Sequence, residues 1–525
     1  MAALTTLGVN FRSLYTKLIV LGAVLTLILL TYVFTIGPTH TLTLPEFPFF
    51  TERVRSTCTP DAYAKGHWEY APRTNKTVMT DKDEALEFAG FEGCASSREY
   101  YWHLAVDNEA QWDRFPDAFS YRWVPSDECD IRTFRAEELL KDLVQQGGWL
   151  LIGDSITEGH FASISCLLYP HVIATPDYNK NPYFDRAWPQ NMYLNPDSPV
   201  VQRLKVPRGF NVTGTPLVTF RRVDTLLTGD ELIALHRELY NPPPDFKLIS
   251  DEAFWALSPQ EYVRIFTDPA NHYGTLIIST GGHWTTTLFS GFRDDSAVDR
   301  GYGIDGVIEF FGHAMEKWAS EVQKLLDEAR DKRTRRQVVI RAYLPGHEDC
   351  HDHRKPWTEV QPYKWNWYNW ANIGEFNHVF ENIVSSPRFR DIHYLGIDHP
   401  ARLRPDAHVS SDCLHIMGGS GVMEGWTHYI WHYVTREAPE KAKAQREEED
   451  SPDDTSRYCS GKVIASPGCK QSPGSRGDKN WITITRSSAS ARVVRNRCVK
   501  EHLLYFWATH GPGGCTDQCL EVLLW

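Results

Sequence analysis

Nucleophilic acyl transfer needs a hydroxyl or thiol, a base to take its proton and a group to orient the base. The chain offers such a set in two short segments. In the first, Gly153-Asp154-Ser155 directly follows the apolar run GWLLI at 148–152, and helical spacing begins soon after, at 157. Ser155 therefore stands on a strand-to-helix turn. There the positive end of a helix dipole and nearby backbone N–H groups can stabilise an oxyanion. In the second, Ser411-Asp412-Cys413-Leu414-His415, a carboxylate and an imidazole three residues apart lie in a loop before a final helix at 423–435. Asp412 can orient His415, and His415 can take the Ser155 proton. Alone, each segment is weakly specific, since GDS also marks ordinary turns and N-caps, and DxxH also makes local hydrogen bonds without chemistry. Their weight comes from lying at opposite ends of one region.

That region alternates. TLIIS at 275–279, QVVIRAY at 337–343 and IHYLGI at 392–397 read as buried strands beside GWLLI. Residues 157–168, 306–329 and 373–384 carry helical spacing, the second with Val307, Phe310, Phe311, Met315 and Trp318 along one side. Strands alternating with helices predict an α/β fold whose mainly parallel sheet is covered on both faces. Ligands of such sheets sit beyond the carboxyl ends of the strands, where both segments fall.

The ends of the chain differ. Residues 18–37, LIVLGAVLTLILLTYVFTIG, are uncharged and, as a helix, would span about 30 Å, a bilayer's hydrocarbon thickness. Arg12 and Lys17 precede them with no acid, which predicts a cytosolic tail at 1–17 and a transmembrane anchor at 18–37. A cleaved signal peptide has a shorter apolar core. On this topology 38–57 is a stem and the bulk of the chain is lumenal, where disulfides form and the sequons at Asn75 and Asn211 can carry glycans. From 437 the charged, aperiodic run EAPEKAKAQREEEDSPDD predicts a disordered linker, followed by a Cys-containing tail to 525 of no assigned role. A net charge of −12 argues against a mainly electrostatic nucleic-acid binder.

The stretch FSYRWVPSDECDIRTFRAEELLKDLVQQGGWLLIGDSITEGHFASISCLL at 119–168 resembles the opening block of the PC-esterase, or trichome-birefringence-like, family. LRPDAHVSSDCLH at 403–415 is similar to its closing block, and STGGHW at 279–284 resembles its middle block. The three blocks stand in the family's order and cover residues 58–435 or so. The resemblance implies an SGNH-like three-layer α/β/α sandwich over 58–436 with a smaller Cys- and Trp-rich N-terminal lobe. It implies O-acetylation of glycans or polysaccharides, with Ser155 as nucleophile, His415 as base and Asp412 as its orienter. It also places the N–H of Ser155 and of Gly281 or Gly282 at the oxyanion hole, His283 beside them in the substrate site, and Cys58 in a disulfide with Cys129. The chain departs from many relatives, which continue GDSxxR and then an amide residue. Thr157, Glu158, Gly159 and His160 stand there instead, and Ser279 replaces a leading Asn of the middle block.

Other segments read less sharply. HEDCHDH at 347–353 holds metal-ligand residue types, but consecutive residues rarely converge on one ion, so it reads as a polar loop, with no metal and no bound cofactor expected. Trp365, Trp367 and Trp370 could offer aromatic faces to a sugar, although clustered Trp more often packs the interior. Arg402 and Arg404 could pair with Asp406 or touch an acidic sugar, and they read as ion-pair partners first. Cys58, Cys94, Cys129, Cys166, Cys350 and Cys413 form an even set, and an oxidising lumen favours disulfides over a thiol nucleophile at Cys413. The expectation is a single-pass type II Golgi or endoplasmic-reticulum O-acetyltransferase with a glycan or polysaccharide acceptor. It would need an acetyl donor, acetyl-CoA or a lumenal acetyl carrier, and one membrane helix implies a separate transporter for that donor. Two alternatives stand beside it: a carbohydrate acetyl esterase with the same triad, and a catalytically inert glycan-binding protein.

Overall fold

Ahead of the first buried strand the chain folds into a small layer of its own. The computed structural model describes residues 58–97, 100–177, 180, 189–330 and 336–439, together with Val24, Thr26 and the pairs Val493–Val494 and Tyr505–Phe506. The expected anchor apart from Val24 and Thr26, the cytosolic tail and stem, and nearly all of the linker and tail, lie outside these residues. Among the described residues no helix is long and apolar enough to cross a membrane. In the early layer, β1 (Gly66–Tyr70) pairs antiparallel with β2 (Tyr121–Pro125). Met79, Phe88, Leu104, Phe115 and Phe119 build a second, smaller core. That core is completed from far along the chain by Ala407, Val409 and Met417, residues flanking the DxxH segment.

The central sheet follows from runs of Val, Ile and Leu that are apolar on both faces and so demand cover on both. β3 (Gly148–Gly153), β4 (Val172–Thr175), β5 (Gln190–Leu194), β6 (Val218–Arg222), β7 (Tyr273–Ser279), β8 (Gln337–Arg341) and β9 (Ile392–Leu395) form one sheet in the order β4-β5-β6-β3-β7-β8-β9. The five strands from β6 to β9 run parallel. Only β5 runs against the rest. Every residue of β3, β7 and β8 is buried.

The cover comes from two helix groups: α1 (Ala136–Gln146), α2 (Ser155–Leu167), α3 (Gly229–Tyr240), α4 (Pro259–Thr267), α5 (Ile304–Glu328), α6 (Ile373–Val384) and α7 (Val422–His432) divide between them. The long α5 gathers α3, α4 and α6 around it, its face of Val307, Phe310, Phe311, Met315 and Trp318 fully buried. α7 packs on α2, and Trp431 of α7 donates its indole N–H to Asp142 of α1 at 2.8 Å. The result is a mixed α/β structure with a mostly parallel seven-stranded sheet, compatible with three layers.

The four strands expected from sequence are present, and 373–384 is helical as read. Three differences have local causes. α2 begins at Ser155 itself, because the Asp154 side chain accepts the Ile156 N–H at 3.0 Å and caps the helix at once. The final helix stops at His432 and continues as a short π segment, Tyr433–Glu437. β4, β5, β6, α3 and α4 were not legible as elements. VIAT, QNMYL and VTFRR mix polar and apolar residues without clean alternation, and they lie toward one edge of the sheet. Residues 452–525 form a separate unit, within which Val493–Val494 pairs antiparallel with Tyr505–Phe506.

Candidate active site

Five parallel strands deliver the site by ending at the same edge. β3 ends at Gly153 and β7 at Ser279, and these two residues are register partners. Ser155 and Gly281, each two residues further on, therefore emerge side by side. The tightness of this edge explains the glycine. A Cβ at Gly153 would lie 2.3 Å from the Thr157 hydroxyl and 2.6 Å from the Ser279 carbonyl oxygen, the latter backbone that cannot step aside. Gly153→Ala should cost about 1–3 kcal/mol, read as a lowered urea midpoint, with Ser155 reactivity falling in parallel. An unchanged midpoint would show that the turn can relax.

The imidazole arrives from the loop after β9. His415 Nε2 is 2.8 Å from Ser155 Oγ, and His415 Nδ1 is 2.9 and 3.0 Å from the two Asp412 carboxylate oxygens. Asp412 Oδ1 also accepts the backbone N–H of Leu414 at 2.9 Å and of His415 at 2.8 Å. Partial burial pushes the Asp412 carboxyl up, but its hydrogen bonds and the neighbouring His415 outweigh that and hold it well below the usual carboxylate range. An ionised Asp412 keeps the proton on His415 Nδ1, which leaves Nε2 as the acceptor for the serine proton. Ser155 is part-exposed, as a nucleophile that must meet a substrate has to be.

The loop carrying Asp412 and His415 is braced from the small N-terminal layer. Arg114 donates to the His408 carbonyl at 2.7 Å, Gln111 to that of Ser410 at 2.9 Å, and the Trp102 indole to the Ser411 hydroxyl at 2.7 Å. The Trp102 ring meets His415 edge-on at 5.4 Å. A disulfide between Cys350 and Cys413 ties the same loop to the segment after β8. Two more join Cys58 to Cys129, as the resemblance implies, and Cys94 to Cys166 at the end of α2. Cys413 is thus no thiol. Among the described residues the grouping with metal-ligand geometry is Cys350, His351 and Cys413, and two of its three donors are spent in that disulfide.

Gly281, Gly282 and His283 line the same edge. A Cβ at Gly281 would press on the Tyr343 ring at 2.9 Å, and one at Gly282 on its hydroxyl at 2.3 Å, so both glycines admit that ring. Burial, and then the Asp154 carboxylate nearby, push the Tyr343 hydroxyl well above its ordinary value. His283 Nε2 lies 3.6 Å from Asp224 Oδ1. Asp224, two residues past β6, is buried; burial raises its carboxyl, while His283 and Arg222 pull the other way. The sequence reading missed Asp224 and Tyr343. A polar residue just past each parallel strand was the available signal, had β6 been recognised.

Of the residues at which the chain departs from the blocks it resembles, Thr157, Glu158 and His160 have side-chain partners, whereas the buried Ser279 hydroxyl has none. Thr157 accepts from the buried Arg341 at 3.3 Å, and that guanidinium stacks 3.9 Å over Trp426. Glu158 accepts from Gln190 at 2.7 Å, and His160 contacts the Thr427 hydroxyl at 3.0 Å.

Of the two described rings of the expected aromatic platform, one is turned inward. Trp365 is 44% exposed, but Trp370 is 6% exposed with its ring edge laid over Gly346, so it has no face for a sugar. The Trp367 side chain lies outside the described residues. Among the described side chains the exposed aromatic nearest Trp365 in sequence is Tyr368. Asn75 and Asn211 are both exposed. Arg404 does pair with Asp406, whereas Arg402 lies 3.9 Å from Asp398 instead. No family model and no curated protein matches the chain.

Proposed function

We propose that the chain is a PC-esterase-like O-acetyltransferase, anchored by 18–37 as a single-pass type II protein of the Golgi or endoplasmic-reticulum membrane. Its lumenal 58–436 region would be an SGNH-like three-layer sandwich carrying the small N-terminal lobe. The observation that supports this best is the unbroken hydrogen-bonded line Ser155–His415–Asp412 at the carboxyl edge of a parallel sheet. In this reading Ser155 Oγ attacks the acetyl carbonyl of the donor while His415 Nε2 takes its proton. The N–H groups of Ser155 and of Gly281 or Gly282 receive the developing oxyanion, and the proton passes to the leaving group. His415 then takes the proton of a sugar hydroxyl, whose oxygen attacks the acetyl-serine ester. The acetylated sugar leaves and Ser155 recovers its proton.

The full chain in lipid vesicles, given acetyl-CoA or a small acetyl ester and a glycan panel, tests this by mass spectrometry. A glycan gaining one acetyl mass supports the transferase. Free acetate with every glycan unmodified would assign the same triad to an esterase. Sugar binding with neither product, and no acetyl on the Ser155 peptide, would leave a glycan-binding protein.

A further inference from the structure

Past the end of β8 the chain forms a cavity that the acyl-transfer steps do not use. It holds 490 Å³, within the range of sites that take small organic ligands. One wall comes from 345–348 and another from 357–364, and His353 and Arg402 add to the lining. Both walls are held without a ligand. The Trp357 main-chain N–H donates to the Leu403 carbonyl at 2.8 Å, and the Tyr363 hydroxyl donates to that of Gly346 at 3.1 Å. The main-chain N–H groups of Lys364 and Trp365 donate to the two Glu348 oxygens at 2.7 and 2.8 Å. His347 donates its main-chain N–H to the Cys413 carbonyl at 2.9 Å, and the Cys350–Cys413 disulfide joins the same two segments. The cavity therefore shares a wall with the loop that carries Asp412 and His415.

The lining suits a ligand with apolar faces and a rim that both donates and accepts. Pro345, Val360 and Pro362 are apolar, and the Trp357 ring is fixed by His347 and His353, which meet it steeply at 5.2 and 5.3 Å. Among the described residues the Trp357 indole N–H, the His353 ring nitrogens and the Arg402 guanidinium make no hydrogen bond. Glu348 keeps acceptor lone pairs beyond the two that its N–H contacts use. Charge narrows the class. Lys364 Nζ is 2.7 Å from Asp349, and Arg402 is 3.9 Å from Asp398. Glu348 adds a carboxylate to the wall, and burial pushes His347 down to about 4, so that ring brings no positive charge at neutral pH. Counted with these partners, the lining has no excess positive charge to hold an anion. Arg402 serves here as a hydrogen-bond donor, not as the seat of an acidic sugar. A neutral pyranose fits, since its C–H faces are apolar and each hydroxyl both donates and accepts.

We propose that this cavity is a subsite for a neutral pyranose unit of the acceptor chain. Ser155, Gly281 and His415 do not line it, so the unit it holds is not the one that meets the acetyl-serine but another along the same chain. The shared wall fixes the distance between the two positions. That the sugar belongs to an acceptor rests on the acyl-transfer reading; that the cavity holds a sugar does not.

The test measures binding of xylohexaose, mannohexaose, cellohexaose and hexagalacturonate to the full chain carrying Ser155→Ala, in lipid vesicles, by titration calorimetry. At least one neutral hexasaccharide should bind, and more tightly than the acidic one. Adding Trp357→Ala or Arg402→Met should weaken that binding about tenfold, the scale on which truncating an anchoring side chain acts. Trp357→Phe keeps a ring between the two imidazoles but loses the indole N–H, and it should weaken binding to a lesser degree. With Ser155 restored, the same variants should raise the KM for the hexasaccharide far more than they lower kcat. Binding of no neutral hexasaccharide, binding indifferent to all three variants, or tighter binding of hexagalacturonate overturns the subsite. So does binding lost in Trp365→Ala but kept in Trp357→Ala, which would place the sugar on the outer aromatic run. Should the wild-type chain transfer no acetyl, the acyl-transfer reading falls, and hexasaccharide binding that depends on Trp357 and Arg402 still assigns the cavity to a sugar.

Discussion

Ser155→Ala should abolish acylation while leaving the fold intact, because it deletes one part-exposed oxygen at a helix start that Asp154, not Ser155, caps. The loss should be roughly 10⁶-fold, the scale on which serine triads fail when nucleophile or base is removed. His415→Ala should fail equally, since Ser155 then has no acceptor for its proton. Asp412→Asn should retain more, falling roughly 10⁴-fold, because it disturbs the tautomer and the imidazolium without removing a reacting atom. The double variant Ser155→Ala with His415→Ala should be scarcely worse than either alone, as members of one unit are not additive. Asp412 is held well below the usual carboxylate range, so it stays ionised wherever the protein is folded. Protonation of Asp412 is therefore not what limits reactivity near neutral pH. Rapid-quench labelling with an acetyl donor, followed by peptide mapping, should find the label on the Ser155 peptide. Label elsewhere, or full turnover by a folded Ser155→Ala protein, would leave the α/β fold standing without this mechanism.

What the sequence made legible divides along physical lines. GWLLI, TLIIS and QVVIR lie in central strands buried on both faces, so their apolar cores are readable without knowing their neighbours, whereas IHYL is the half-buried edge strand β9, read from its place in the alternation. Ser155, Asp412 and His415 were readable for a related reason: each sits in a short local pattern tied to a strand end or a turn. β5, by contrast, is an antiparallel strand near the sheet's edge with a Gln and an Asn in it, and nothing local separates QNMYL from a loop. The bracing of the His415 loop was invisible for a different reason. Trp102, Gln111 and Arg114 reach partners some 300 residues away, and no periodicity within either segment encodes such a contact. The aromatic run at 365–370 misled because composition gives residue type but not which ring turns inward; Trp370 turns in and Trp365 does not.

Arg404→Ala should have the largest effect on stability. The guanidinium is wholly buried, with two hydrogen bonds to Asp406 at 2.9 Å, one to the Ala118 carbonyl at 2.6 Å and another to the Ser420 carbonyl. Its face also lies 4.6 Å from the Trp68 ring. Ala118 belongs to the small N-terminal core, Ser420 to the turn before α7, and Asp406 to the segment that leads into the DxxH loop. One side chain thus fastens the small N-terminal core to the two segments that flank the DxxH loop. Removing it strands the Asp406 carboxylate in a dry site and leaves two carbonyls without donors, at a cost of about 3–5 kcal/mol. That is a large share of the roughly 5–15 kcal/mol by which domains are stable. Arg404→Lys should recover little, because one ammonium cannot supply a planar fork to a carboxylate and two carbonyls together. Arg404→Met combined with Asp406→Leu should lose much less than the two single changes summed, since neither charge is then left alone. Urea unfolding followed by tryptophan fluorescence reads all five variants, the two single changes included. Were Arg404→Ala to unfold at the wild-type midpoint, the buried pair would be no clamp, and the His415 loop would have to be held by the Cys350–Cys413 disulfide and the Trp102, Gln111 and Arg114 contacts alone.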